Sequence, residues 1–140
     1  MSVVSIRFSD EPVHDRLREA ARRQRVAVST LAERLIDEGL RAETHPLVTF
    51  RPGAAGRRAC LIGGPEVVDV VTALIGSDVA VQLRRTRAAE LLDIPVTLVD
   101  AALAYYADFT EEVDEAIAER ARLADEAEAS WRRQQAILEQ

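Results

Sequence analysis

The segment Val3-Val4-Ser5-Ile6-Arg7-Phe8 decides how the first third of this chain is built. It alternates with the two-residue period of a strand, Val4, Ile6 and Phe8 on one side and Val3, Ser5 and Arg7 on the other. Ser9 and Asp10 supply helix N-cap chemistry, and Pro12 falls where a first helical turn tolerates it. Val13, Leu17, Ala20 and Ala21 then recur at helical spacing, with Arg22, Arg23 and Arg25 at the end where the helix dipole favours cations. After a break at Arg25-Val26-Ala27, a second helix carries Leu31, Leu35, Ile36 and Leu40. Ser29 or Thr30 is its expected cap, and Gly39 and Thr44-His45-Pro46 its expected end. One strand and two short helices cannot bury a core at this length. The sequence therefore predicts two copies, their strands paired antiparallel into a ribbon and four helices closing over Val4, Ile6, Phe8, Leu17, Leu31 and Leu35.

Past residue 44 the pattern changes. Leu47-Val48-Thr49-Phe50 reads as a short strand, Arg51 to Gly56 as a turn, and Arg57 to Ile62 as the returning strand of a hairpin. Gly63-Gly64-Pro65 punctuates, and Pro65 suits the start of a helix over 66–75. A second short helix is expected over 84–92, stopped by Asp93-Ile94-Pro95. A third, capped by Thr97, runs through Tyr105, Tyr106 and Phe109. Thr110 opens a long final helix whose stripe (Val113, Ile117, Ala121, Ala124, Ala127 and Trp131) is mostly alanine and predicts little burial against its own chain. The expected fold class is mainly α with short strands (α+β). The expected organisation is 1–44, 45–109 and 110–140.

The chain has 140 residues with 48% apolar and 30% charged, a globular composition. One cysteine excludes an internal disulfide, and one cysteine with two histidines argues against a zinc cluster. No apolar run reaches the ~18 residues of a membrane span, and Met1 to Arg7 lacks the charged start and apolar block of a signal peptide, so a cytoplasmic location is expected. The net charge of −6 argues against a nonspecific nucleic-acid binder. It is concentrated at the end: residues 111–140 hold nine acids against four Arg, whereas residues 1–44 hold eight of each. All 18 cations are Arg, which suits phosphate and carboxylate recognition but is as readily a trace of genomic base composition.

The order and spacing of Val3 to Ser9 and of Val26-Ala27-Val28-Ser29-Thr30-Leu31-Ala32-Glu33-Arg34-Leu35-Ile36 resemble the ribbon-helix-helix family, which includes the MetJ, Arc and CopG repressors. The resemblance implies a homodimer whose outward strand residues Val3, Ser5 and Arg7 read base edges in the major groove. It also implies a second helix whose N-terminus, at Ala27, Val28 and Ser29, sits on a DNA phosphate. The family often has Gly where this chain has Arg25, and Ser or Thr where it has Ala27. Residues 45–109 resemble small winged-helix-like domains of unknown function that accompany nuclease toxins. His45-Pro46, the turn through Gly53 and Gly56, Arg57-Arg58, the 66–71 segment and the 96–106 segment carry that resemblance. Ala54-Ala55 stands where a polar loop is expected. Arg84, Arg85 and Arg87 are this region's candidates for DNA contact, and docking of a partner is the favoured alternative because acids nearly balance the Arg.

Nothing in the sequence assembles a catalytic site, so no enzyme activity and no cofactor or metal are expected. Glu111, Glu112, Asp114 and Glu115 complement a helix N-terminus; His45 reads as a surface linker residue; Cys60 reads as a buried small hydrophobe; Gly63-Gly64 lacks phosphate-loop spacing. Of Tyr105 and Tyr106, one ring is expected in the core and the other partly exposed. Together the two resemblances imply an antitoxin of a type II toxin–antitoxin pair: a homodimer that binds operator DNA and neutralises a PIN-type ribonuclease toxin. Its toxin-binding residues are expected on the last helix: Val113, Ile117, Ala124, Trp131, Arg132 and Arg133. The alternatives are a stand-alone transcriptional repressor whose C-terminal domain binds an effector or partner, and a dimerisation adaptor with no DNA site.

Overall fold

The computed structural model describes residues 1–53 and 56–140, so the Ala54-Ala55 loop of the hairpin lies outside the described residues. The contacts divide the chain into two units, 1–44 and 45–140. The expected third piece, 110–140, is not separate, because its first turns belong to the core of the second unit.

In the first unit, α1 (Glu11–Gln24) and α2 (Val28–Thr44) pack against each other. Asp10 is the N-cap of α1 without a side-chain cap bond. The turn between the helices is made by Arg25, whose φ of 56° and ψ of 43° are left-handed. Its N–H bonds to the carbonyls of Ala21 and Arg22, and the Val26 N–H reaches Ala21 O at 3.1 Å. That is the bonding of a helix stop that favours glycine, because a Cβ is crowded in this conformation. Arg25→Gly is expected to stabilise this unit by about 0.5–1 kcal/mol, with a matching rise in thermal midpoint; an unchanged or lower midpoint would show that the arginine stem contributes more than the strain costs. Helix α2 starts at Val28, earlier than a Ser29 or Thr30 cap predicts, so the N-cap position falls on Ala27, which has no side-chain acceptor. Gly39 does not end α2; the helix runs on to Thr44, ahead of Pro46.

The predicted strand over 3–8 is not formed in the single chain: residues 1–10 carry no regular structure. A lone edge segment has no ladder to join and no apolar sheet to lie on. Ala21 and Leu31 are the buried residues of this unit, while Val4, Ile6, Phe8, Leu35, Ile36 and Leu40 remain exposed.

The second unit begins with β1 (Val48–Gly53) and β2 (Gly56–Leu61), an antiparallel pair that sets Val48 opposite Leu61 and Arg51 opposite Arg58. Then come α3 (Val67–Leu74), a single 3-10 turn at Val81–Leu83, α4 (Arg84–Leu92), α5 (Val96–Asp108) and α6 (Thr110–Leu138). Helices α3, α4 and α5 contact one another pairwise. Val67, Val70 and Val71 of α3, Val99 and Tyr105 of α5 and Leu61 of β2 form the fully buried centre. Glu66 and Asp69 close a capping box at the start of α3. Asp93, with φ 52° and ψ 51°, turns the chain from α4 into α5, a conformation that a short polar side chain tolerates. Pro95, not Thr97, is the N-cap of α5. The order is therefore hairpin first and helices after, mainly helical with one two-stranded sheet among the described residues.

Candidate functional site

The sequence-predicted DNA residues fall in two places of the first unit. Val3, Ser5 and Arg7 are exposed on the irregular N-terminal segment. Val28 and Ser29 are exposed in the first turn of α2, where the first helical N–H groups have no intrahelical acceptor and the dipole favours an anion. Beside that turn lies an open cavity of about 560 Å³, lined by Arg18, Arg22, Val26, Ala27 and Val28 together with acids of α1. Its charge is not free: Glu19 takes both guanidinium contacts of Arg22, at 2.6 and 2.9 Å, and that bond holds the Glu19 carboxyl below its usual range. Arg34 anchors α2 to the end of α1 through Gln24 Oε1 at 2.9 Å.

In the second unit the candidate DNA cations are engaged internally. Arg85 grips Asp100 of α5 with two bonds of 2.6 Å. Arg84 donates to the carbonyls of Val79 and Ser77, at 3.0 and 3.1 Å, and Arg87 lies 3.8 Å from Glu90. Helix α5, second of the pair joined by the short turn at Asp93, has no basic residue but carries Asp100 and Asp108. An acidic helix is repelled by phosphates, so this helix pair has the connection of a DNA reader without its electrostatics. Arg84, Arg85 and Arg87 thus each have a partner within their own unit.

Several expected surface residues are structural. His45 is not a surface linker residue: it is 7% exposed, its Nε2 lies 2.8 Å from Asp108 Oδ2, and its ring packs edge-on to Tyr105 and Phe109. The place before Pro46 suggested a linker, but the aromatic partners lie more than fifty residues away in sequence. Cys60 is buried as expected, and burial pushes its thiol up from the ordinary value. Tyr105 is the core ring and Tyr106 the half-exposed one. Their hydroxyls donate to Glu112 at 3.0 Å and Asp114 at 2.7 Å, which gives two of the four acids at the start of α6 a local task. Among the described residues there is no cluster of three or more His, Cys, Asp or Glu able to hold a metal ion, and no helix is long and apolar enough to cross a membrane.

The expected toxin-binding set on α6 is split by the fold. Val113 is 3% exposed inside the core, which withdraws it from a partner, and Ile117 is partly buried against that core. Arg120 then ties α6 to Glu66 and Asp69 of the α3 cap, and Glu66 also takes Arg58 of β2 at 2.7 Å. Beyond Arg120 the ion pairs of α6 join residues of the helix itself, Arg122 with Glu119 and Glu126 and Arg132 with Glu128. Ala124, Trp131, Arg132 and Arg133 are exposed, Trp131 by 59%. The expectation that α6 gains little from its own domain is thus corrected for its first ten residues and stands for the rest. The sequence missed this split because Val113 and Trp131 share one stripe, and only the length of the neighbouring helices decides how much of it is covered.

No family model, curated protein or solved structure matches this chain.

Proposed function

We propose that this protein is a DNA-binding antitoxin: a homodimer whose N-terminal ribbons read an operator and whose α6 free end binds a nuclease toxin of PIN type. The observation that carries the reading is the unfinished first unit. Its alternating segment leaves Val4, Ile6 and Phe8 exposed in front of two helices that bury only Ala21 and Leu31, and a second copy supplies both the missing strand and the missing core. The helix stop at Arg25, with the unfilled N-terminus of α2 after it, supports the family's phosphate contact at Val28 and Ser29. In the ribbon, Val3, Ser5 and Arg7 face outward, Arg7 suited to guanine, Ser5 to either donor or acceptor, Val3 to a thymine methyl.

The α6 free end supplies the second half of the reading. It is a helix with acids at Asp125, Glu126 and Glu128 and one large anchor, Trp131, suited to a basic groove that otherwise holds RNA. Arg132 and Arg133 reach toward an acidic metal site in such a groove.

Two measurements test the two halves. On its own promoter DNA, Arg7→Ala is expected to cost about 1–3 kcal/mol and relax preference at one position per half-site; equal losses on promoter and random duplexes would make Arg7 a phosphate contact and remove the ribbon as reader. Ending the chain at Arg120 spares Val113, Ile117 and the Arg120 bonds. It is expected to leave promoter binding intact and abolish rescue of cells expressing a PIN-type nuclease that the full-length protein neutralises; full rescue would assign toxin binding elsewhere.

A further inference from the structure

The hairpin carries charge of one sign. Residues 48–61 hold Arg51, Arg57 and Arg58 and no acid, in a unit with ten Arg against sixteen acids. The register sets Arg51 directly opposite Arg58. Opposed residues of an antiparallel pair point to the same face, with Cβ atoms about 5 Å apart, and like charges there destabilise the pair. Val48, Phe50, Ala59 and Leu61 pack on the core, so by alternation the two arginines stand on the other face. Cys60 belongs to that face too: it is buried yet lies outside the core cluster. Burial pushes its thiol up, and the charges of Arg51, Glu66, Arg58 and Asp69 all act on it, so the four gather around one point.

The carboxylates of this cluster are already engaged. Glu66 Oε1 accepts from Arg58 Nη1 at 2.7 Å and Oε2 from Arg120; Asp69 Oδ1 accepts from Arg120 and Oδ2 from the Glu66 N–H at 3.2 Å. All four oxygens have a donor, and three guanidinium groups stand against two carboxylates. Arg51 is the one left over. It is exposed, and its guanidinium has no ion pair or hydrogen bond among the described residues. Gly53, two residues along β1 on the same face, makes room for Arg58: a Cβ there would come within 2.6 Å of Arg58 Cδ and Nε.

We propose that Arg51 and Arg58 bind a phosphate group on this face of the hairpin. A phosphate offers several anionic oxygens to paired guanidinium N–H donors, and it turns the repulsion between two opposed arginines into a grip from both strands. Arg58 has Nε and Nη2 for it while Nη1 stays on Glu66. The phosphate of a nucleic-acid backbone and that of a small phosphorylated molecule present the same chemistry here. The site lies outside the 1–44 unit and does not rest on the operator reading.

The test titrates the full-length, 15N-labelled protein with inorganic phosphate in a chloride-poor buffer. The side-chain Nε–H signals of Arg51 and Arg58 are expected to move, and that of Arg87, an exposed arginine beside Glu90, is not. Arg51→Gln is expected to weaken phosphate several-fold and, without phosphate, to unfold at the wild-type temperature or above it, because it removes a repulsion. Unmoved signals, or an unchanged affinity in Arg51→Gln, would overturn the proposal. So would shifts spread evenly over the exposed arginines, which would mean an adventitious ion only, and a lower unfolding temperature for Arg51→Gln, which would give Arg51 a structural task instead. A duplex of arbitrary sequence separates the two sources, and either keeps the site. If Arg51→Gln lowers duplex affinity and reduces its salt dependence by about one phosphate contact, a nucleic-acid backbone supplies the group. If duplex binding is unchanged while phosphate binding is lost, a small phosphorylated molecule supplies it.

Discussion

Tyr105→Ala is expected to destabilise the 45–140 unit by about 3–5 kcal/mol, the cost of an aromatic ring removed from a core that cannot close over the space. Tyr105 is 0% exposed and belongs to the core cluster of its unit. Its ring lies 5.3 Å from His45, 6.3 Å from Phe50 of β1 and 4.7 Å from Phe109 at the mouth of α6, centre to centre. Because a domain of this size is stable by only about 5–15 kcal/mol, the loss is a large share of the total. Tyr105→Phe keeps the ring and removes the bond to Glu112, so about 1 kcal/mol is expected. Tyr106→Ala, on the half-exposed neighbour, should cost less than Tyr105→Ala. Urea unfolding followed by far-ultraviolet circular dichroism orders the three; similar midpoints for Tyr105→Ala and Tyr106→Ala would mean that the ring is not the centre of this core.

Ile6→Asp is expected to abolish the dimer at micromolar concentration and operator binding with it. In the proposed ribbon Ile6 faces the four helices of the pair, and the substitution buries two carboxylates with no cation beside them. Ser5→Ala is the matched control: one residue away, on the opposite face, it should leave the dimer whole and alter only DNA contact. Sedimentation of the full-length variants separates the outcomes. If Ile6→Asp and Ser5→Ala dissociate to the same extent, residues 3–8 do not form a two-faced strand.

Local pattern was legible wherever a short stretch of chain settles its own structure. The 84–92 helix falls where the sequence places it, because Asp93-Ile94-Pro95 forces a stop: Asp93 tolerates the left-handed turn and Pro95 bars the residue before it from the helix. The returning strand and α3 lie within one residue of expectation for similar reasons of turn and cap chemistry, whereas β1 runs three residues further, through Arg51 and Pro52 to Gly53, which were expected in the turn. Arg25 shows the opposite case. Its arginine gives no signal for a left-handed turn, yet the helix pair imposes one, since the chain must reverse between α1 and α2. The candidate residues divide along the same line: Val3, Ser5, Arg7, Val28 and Ser29 are exposed, while Val113 is taken into the core and Ile117 is partly buried against it.

By itself the sequence determined the run of elements from α1 to α6 and the acidity of the last helix, because periodicity, caps and charge are local. Only the tertiary structure decided the rest. It turned His45 from a linker residue into a buried partner of Asp108, engaged Arg84, Arg85 and Arg87 within their own unit, and cut the α6 stripe at Arg120 into a covered part and a bare one. Each of those outcomes depends on which surfaces meet, and several of the deciding contacts join residues fifteen to more than sixty positions apart, a separation that no local period encodes.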